Sequence, residues 1–291
     1  MAGEFGAGTP FRHAPHPLTF PPLANPHGGF VVQIIDRPRV TLLARQEFLY
    51  PEHIRWQSDS EVPAEALTEF SGRLCYLSFG EDAGLEGGHR TIGGRTTNES
   101  YLQNILRVKH GSVLEHAVWS LLIEGVSRAL THELVRHRAG FGFSQLSQRY
   151  VDESHIGFVP PPEIVPGTPA FEIWARACEG ALDAYRGILG AMTDQLSDEG
   201  SATMRKKRAR QAARAVLPNS AETKIVVTGN ARAWRHFVEM RGSVSADVEI
   251  RRLAVAVLRL LGAEAPHIFG DLQVIAQPDG SEVVVTENSK V

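Results

Sequence analysis

The stretch RHRAGFGFSQLSQRY, Arg136 to Tyr150, sets three basic side chains side by side, runs on through a Gly/Phe segment and places Ser147 and Arg149 just beyond it. Adjacent cations repel unless an anion sits among them, so the stretch predicts a local anion site. The residues before it read as ordered structure: Val118 to Ile123 suits a strand, and Ser127 suits the N-cap of a helix. If Ser127 to Arg138 is helical, Arg128, His132 and Arg136 share one stripe at four-residue spacing, and Glu133 reaches His137 at the same spacing. Gly140 and Gly142 would each cost about 1 kcal/mol relative to Ala inside a helix. The helix is therefore expected to stop soon after Arg138, with Phe141, Phe143 and Ser144 presented on a loop.

Outward from this stretch the chain alternates helical and strand-like segments. Glu61 to Leu77 has helical spacing, and the glycines and charges of residues 79–97 mark an exposed loop. Leu102, Ile105 and Leu106 make a helical stripe that Gly111 is expected to end. Val31 to Arg45 reads as two short strands about a turn near Asp36 to Pro38. A long helix is expected from about Phe171 to Leu196, and another with Ala209, Ala212, Ala213 and Val216 on its buried face, stopping at Pro218. KIVVTGN then reads as a strand, ARAWRHFVEMR as a helix, and Ala246 to Leu261 as a further helix. The Pro-rich residues 1–29 are expected to form an extended or disordered arm. Residues 273–291 are expected to form a hairpin about Asp279-Gly280 or a loose tail.

Composition narrows the class. With 291 residues, 43% of them hydrophobic, the chain can fill one large core or two small ones. A formal net charge of −3 gives no overall attraction to nucleic acid or acidic membranes, so any anion site must be local. No apolar run approaches the roughly 18 to 20 residues of a membrane span, and a cytoplasmic protein is expected. Cys75 and Cys178 are the only cysteines, which leaves neither a disulfide framework nor a cysteine metal site; redox chemistry would need a borrowed cofactor.

Two further basic groups stand out. MRKKRARQAAR carries six Lys or Arg from Arg205 to Arg214 with no acid among them. Most of that run reads as a solvated face or a weak nucleic-acid patch, whereas Arg214 sits beside the Ala213/Val216 face and can point into a cleft. Arg232 and His236 share a helical face behind Asn230, whose position at an N-cap with Arg nearby suits a phosphate. Neither nucleotide-binding glycine pattern, no His-Glu-x-x-His and no Gly-x-Ser-x-Gly is present, so neither a Rossmann NAD site nor a zinc hydrolase is supported.

RHRAGFGFSQLSQRY resembles the signature of the flavin-dependent thymidylate synthases, in which Arg-His-Arg is followed by seven residues and a serine. Here eight residues separate Arg138 from Ser147, one more than the family pattern. HGSVLEH, ARAVLP and GNARAWRHFVEMR also resemble family segments, and the likeness runs from about Ser71 to about His267, within a domain taken as residues 30–272.

The resemblance implies reductive methylation of dUMP to dTMP by an FAD-dependent methyltransferase, with 5,10-methylenetetrahydrofolate as carbon donor and NADPH as reductant. It implies an α+β fold, an antiparallel sheet with packed helices plus a helical part. It also implies a homotetramer whose active sites are shared between chains. By carry-over, the dUMP-binding candidates are Arg128, Glu133, Arg136, Gln145, Ser147, Gln148, Arg149, Arg214 and Arg241. Ser147 and Arg149 would hold the phosphate, and Arg241 would sit against the pyrimidine. Arg241 and Ser147 are the catalytic candidates, Ser147 as a binder of substrate, since no base is visibly paired with it. The FAD candidates are His110, Ser112, Glu115, Arg136, His137, Arg138, Asn230, Arg232 and His236, the last standing where some members carry Asn. Neither cysteine has a neighbouring base to activate it, so guanidiniums rather than a thiolate would polarise the uracil ring. The competing reading is a non-catalytic nucleic-acid binder using Arg205 to Arg214, whose affinity would fall steeply with salt.

Overall fold

A computed structural model describes residues 32–80, 83–85, 94–198 and 200–291. The expected arm over residues 1–29 lies outside the described residues, as does much of the expected loop between residues 79 and 97. Strands β1 (Arg39–Arg45), β2 (Val118–Ser127), β3 (Phe141–Gln145) and β4 (Glu222–Asn230) form one antiparallel sheet in the order β1-β2-β4-β3. The period-2 pattern of β2 explains its place: Trp119, Leu121 and Ile123 are buried while Ser120 and Leu122 point to the other face.

Helices cover the buried face and fill out the rest of the chain. In order they are α1 (Pro63–Leu74), α2 (Asn98–Arg107), α3 (Arg128–Leu134), α4 (Pro169–Gln195), α5 (Ala202–Ala213), α6 (Ala231–Arg241), α7 (Val248–Glu264) and α8 (Pro266–Phe269). Trp234 and Phe237 of α6 and Leu253 and Leu258 of α7 share one core with Trp119, Leu121 and Val227. Helices α4 and α5 pack together as a helical part with its own small core of Phe158, Cys178, Leu182 and Ala221. The architecture is the α+β class expected. Strands β5 (Leu272–Ala276) and β6 (Glu282–Thr286) form the expected hairpin, tied to the body where Val284 N–H donates to Gly242 O at 2.8 Å.

Four local expectations need correction, each for a visible reason. Of the strand pair expected over Val31 to Arg45, residues 32–38 are no strand: Ile34 makes only a parallel bridge to Phe158, and β1 begins after Pro38, which has no N–H to give a ladder. Helix α2 ends at Arg107, where Lys109 turns the chain at φ 60°, and Gly111 instead opens a 3-10 helix, Gly111–His116. Helix α3 stops at Leu134 rather than near Arg138, because the N–H groups of Arg136 and His137 donate to Glu133 O and Leu134 O and tighten the chain into i→i−3 turns. The Gly/Phe segment is a strand, with Phe141, Phe143 and Gln145 half-buried and Gly142 and Ser144 exposed in strict alternation.

Ser127 caps α3 as expected, its Oγ accepting from Leu130 N–H at 3.0 Å. The same hydroxyl donates to Glu249 at 2.7 Å, which binds the start of α3 to α7. At the other end of the site-bearing elements, Phe141 stands edge-on to Trp234, ring centroids 4.7 Å apart at 83°. Gly229, paired with Phe141 across the strands, makes room for that ring. A Cβ there would lie 2.4 Å from Phe141 Cε1 and 2.9 Å from Trp234 Nε1. Gly229→Ala is expected to destabilise the fold by about 1–3 kcal/mol through this overpacking, read as a lower urea midpoint at unchanged m-value; an unchanged midpoint would show that β3 is seated some other way.

Candidate active site

Helix α6 carries one line of the site. Asn230 caps it, Oδ1 accepting from Ala233 N–H at 2.9 Å, and Gly140 O accepts from Asn230 N–H at 3.1 Å, so the end of the basic triplet is fastened to the helix start. Gly140, at φ +75°, lies so close that a Cβ would stand 2.8 Å from Asn230 Nδ2. Arg232 donates to Glu115 at 2.6 Å, joining α6 to the 3-10 helix that bears Ser112, with His110 just before it. Next along α6, the rings of His236 and His137 stand 5.8 Å apart. At the C-terminal end Arg241 donates through Nε to His137 Nε2 at 2.9 Å and through an Nη to Glu133 at 2.8 Å.

That last geometry fixes the state of His137. Its Nε2 accepts, so the neutral ring carries its hydrogen on Nδ1. Burial, the Arg241 charge and the neighbouring His236 together hold its pKa down to about 4. His110, Ser112, Glu115, Arg136, Arg138, Arg232 and His236 are exposed along this side, and the one acid among them is already engaged by Arg232.

The second line lies at the far end of β3. Gln145 Nε2 donates to Thr131 Oγ1 at 3.1 Å and to Thr223 Oγ1 at 3.3 Å, and Arg128 donates to the same Thr223 hydroxyl at 3.4 Å. Burial and the nearby Arg214 both push the Arg128 guanidinium towards losing its proton, while Glu153 opposes them. Beyond Gln145 the chain turns, with Arg149 N–H donating to Ser147 Oγ at 3.4 Å. Gln148 Nε2 and Arg149 Nε are buried without a hydrogen-bond partner. Buried donors left unpartnered are suited to an anion.

By their hydrogen bonds and ring contacts the expected residues fall into two sets, which α3 and β4 join. His110, Ser112, Glu115, Glu133, His137, Asn230, Arg232, His236 and Arg241 form a connected strip along α6. Arg128, Gln145, Ser147, Gln148, Arg149 and Arg214 gather about the end of β3. Among the described residues no hydrogen bond or ion pair links Ser147 or Arg149 to Arg241. Arg136 lies beyond α3, off the helical stripe expected for it, and Glu133 reaches His137 only through Arg241. Among the described residues no base is paired with Ser147. Cys178 is buried, and that burial raises its thiol above the ordinary range, so it is no thiolate nucleophile.

The sequence reading missed Thr131, Thr223 and Glu153, whose types and spacing carry no motif. The Arg205 to Arg210 stretch, expected to be a solvated face or a weak nucleic-acid patch, is more than that. Part of that run is engaged at the site's edge: Arg210 donates to Tyr150 O at 2.7 Å, and Lys207 stands 5.0 Å from the centre of the Tyr150 ring.

The His137 assignment has a direct test. Its imidazole signals should titrate near pH 4 in two-dimensional NMR. On cooling the pH from 6.5 towards 4, an unfolded chain takes up that proton and the folded one does not, so this group lowers stability across the window. A midpoint at the ordinary value near 6.5 would mean that the Arg241 bond does not persist in solution.

Comparison with known proteins agrees with the signature. Residues 59–267 match the family model described as thymidylate synthase complementing protein. Over 248 residues the chain is 48% identical to a flavin-dependent thymidylate synthase of Mycolicibacterium gilvum (strain PYR-GCK), across 85% of this chain and 95% of that protein. It is 49% identical over 252 residues to the protein of that name in Mycobacterium sp. (strain JLS), with the same 85% and 95% coverage. Among solved structures, a UMP/dUMP methylase PolB from Streptomyces cacaoi, bound with 5-Br UMP, shares the fold with a TM-score of 0.55. At 21% identity, that match covers 82% of this chain and 95% of that one.

Proposed function

The chain belongs to the flavin-dependent thymidylate synthase family, and on that premise we propose how its own residues carry out the methylation of dUMP to dTMP. The protein is an FAD-dependent methyltransferase in dTMP synthesis. The observation that carries the assignment of residues is the convergence of Arg241, His137 and Glu133 where the α6 strip meets the signature.

The donor set fits FAD. Its pyrophosphate needs cationic and hydroxyl donors on an open face, and His110, Ser112, Arg138, Arg232 and His236 supply them beside the capped start of α6. When bound and reduced, the flavin supplies a hydride. Neutral His137 holds Arg241 by accepting from its Nε, and Glu133 fixes the other side of the guanidinium. So held, Arg241 stabilises negative charge that develops on the pyrimidine oxygens. Arg149 and Ser147 take the nucleotide phosphate, and Gln148, Arg128 and Arg214 complete its pocket.

In this reading each active site is completed by a neighbouring chain of a homotetramer, as the family resemblance implies. NADPH is the reductant in this reading, and 5,10-methylenetetrahydrofolate the carbon donor. No helix of the described residues is long and apolar enough to cross a membrane, in keeping with a cytoplasmic enzyme.

A visible absorption spectrum is the primary test. The protein should purify yellow, or become so on reconstitution, with near-stoichiometric FAD; a colourless protein that ignores added FAD removes the reading. Arg241→Ala should retain FAD while methylation falls by roughly a hundredfold or more, the scale of losing one charge-stabilising donor. Unchanged turnover would show that Arg241 does not face the pyrimidine.

A further inference from the structure

Glu153, three residues beyond Tyr150, is a buried acid that no motif marks. Its side chain is only 5% exposed, and its Oε1 has no hydrogen-bond partner. The backbone on either side is pinned, Glu153 N–H donating to Tyr185 Oη at 3.1 Å and Ile156 N–H donating to Glu153 O at 3.0 Å. The carboxyl is thus held in the interior beside the anion pocket, where it is the acid acting on Arg128. An ionised carboxylate with an unmet oxygen is costly in such a place, whereas a protonated one is not.

Resting on the nucleotide site proposed above, we propose that Glu153 is a positioning residue: its carboxyl is the counter-charge of Arg128 in the free site, and it takes up one proton from solvent when the nucleotide dianion replaces it. Burial pushes the Glu153 carboxyl up to about 7, Arg128 pulls it down, and Glu222 and Asp152 raise it further. Apart from Arg128, the influences on it favour the protonated form. Arg128 comes from the β2–α3 junction and is itself acted on by Arg214; a phosphate between them cancels the one attraction that keeps Glu153 ionised. Glu222 of β4 and Asp152 of the same turn add repulsion, Asp152 being partly offset by Arg210. Tyr185 of α4 is raised by burial and stays protonated. Glu222 is the rival proton acceptor, also raised by burial, but its Oε1 already accepts from Gly125 N–H at 3.1 Å.

The test is calorimetric titration of dUMP into the FAD-loaded protein at pH 7.5, in two buffers of different ionisation enthalpy. The phosphate is already a dianion there, its second pKa being about 6, so the buffer-dependent heat reports protons taken up by the protein. Wild type should take up a substantial fraction of a proton per dUMP, and its affinity should weaken roughly five- to tenfold from pH 7 to pH 8.5. Glu153→Gln should bind without that uptake and with affinity flat over this range; Glu222→Gln should keep both. Glu153→Asp retains a carboxyl and should keep the uptake with a displaced midpoint, which decides the matter if the Gln variant does not fold. The proposal is overturned by wild-type binding without proton uptake, by undiminished uptake in Glu153→Gln, or by an unmoved midpoint in Glu153→Asp. Wild-type protein that binds FAD but no dUMP overturns the nucleotide site itself, a different result from any of these.

Discussion

The structure depends on the close approach of β3 to β4 at Gly229. With no side chain there, Phe141 can lie across the strand and meet Trp234, whose ring is fully buried against Phe237 and the sheet. One contact thus seats an edge strand and a helix together. Because the basic triplet runs directly into Phe141 and the helix starts directly after β4, it also sets the distance between the triplet and α6. Within the triplet, neutral His137 adds its bond to Arg241 and its contact with Phe237 to this seating, while the two flanking arginines gain nothing from one another.

Charge balance is the second constraint. Along α6 each engaged cation has its own partner, Arg232 with Glu115 and Arg241 with Glu133, and His137 avoids adding a charge by remaining neutral. About the end of β3 the balance is looser. Arg128 and Arg214 bear on one another, and the acid acting on Arg128 is a buried carboxyl whose pKa lies near neutrality. The first arrangement is rigid and nearly neutral, suited to holding one guanidinium in one orientation. The second is short of fixed negative charge, so an incoming anion completes it.

Much of this was legible from residue pattern. The helices with strong apolar spacing, the hairpin about Asp279-Gly280 and the Ser127 and Asn230 caps followed from local chemistry, and the capping bonds are present. What local rules could not supply was set by partners distant in the chain. Phe141 to Gln145 looked like a loop because two glycines argue against a helix, yet pairing with Val227 and Gly229 makes it a strand. Helix α3 was read too long because periodicity continues through Arg136, while the turn into β3 requires the tighter bonds after Glu133. In the site, the arginines and histidines were visible as a signature. Thr131, Thr223 and Glu153 were not, since single threonines in a helix and a strand and an acid in a turn have no distinctive spacing.

The link between the two lines also bears on how such a site can work. Within one chain, α3 and β4 each bear on both: Thr131 bonds Gln145 at the pocket end while Glu133 holds Arg241, and β4 carries Thr223 to the pocket and Asn230 to the cap of α6. The helix is short, its start is locked to α7 through Ser127 and Glu249, and it cannot lengthen without undoing β3. The seating of Thr131 against Gln145 and of Glu133 against Arg241 is therefore set by the backbone, so the two lines are held in a fixed relation that side-chain motion alone does not change.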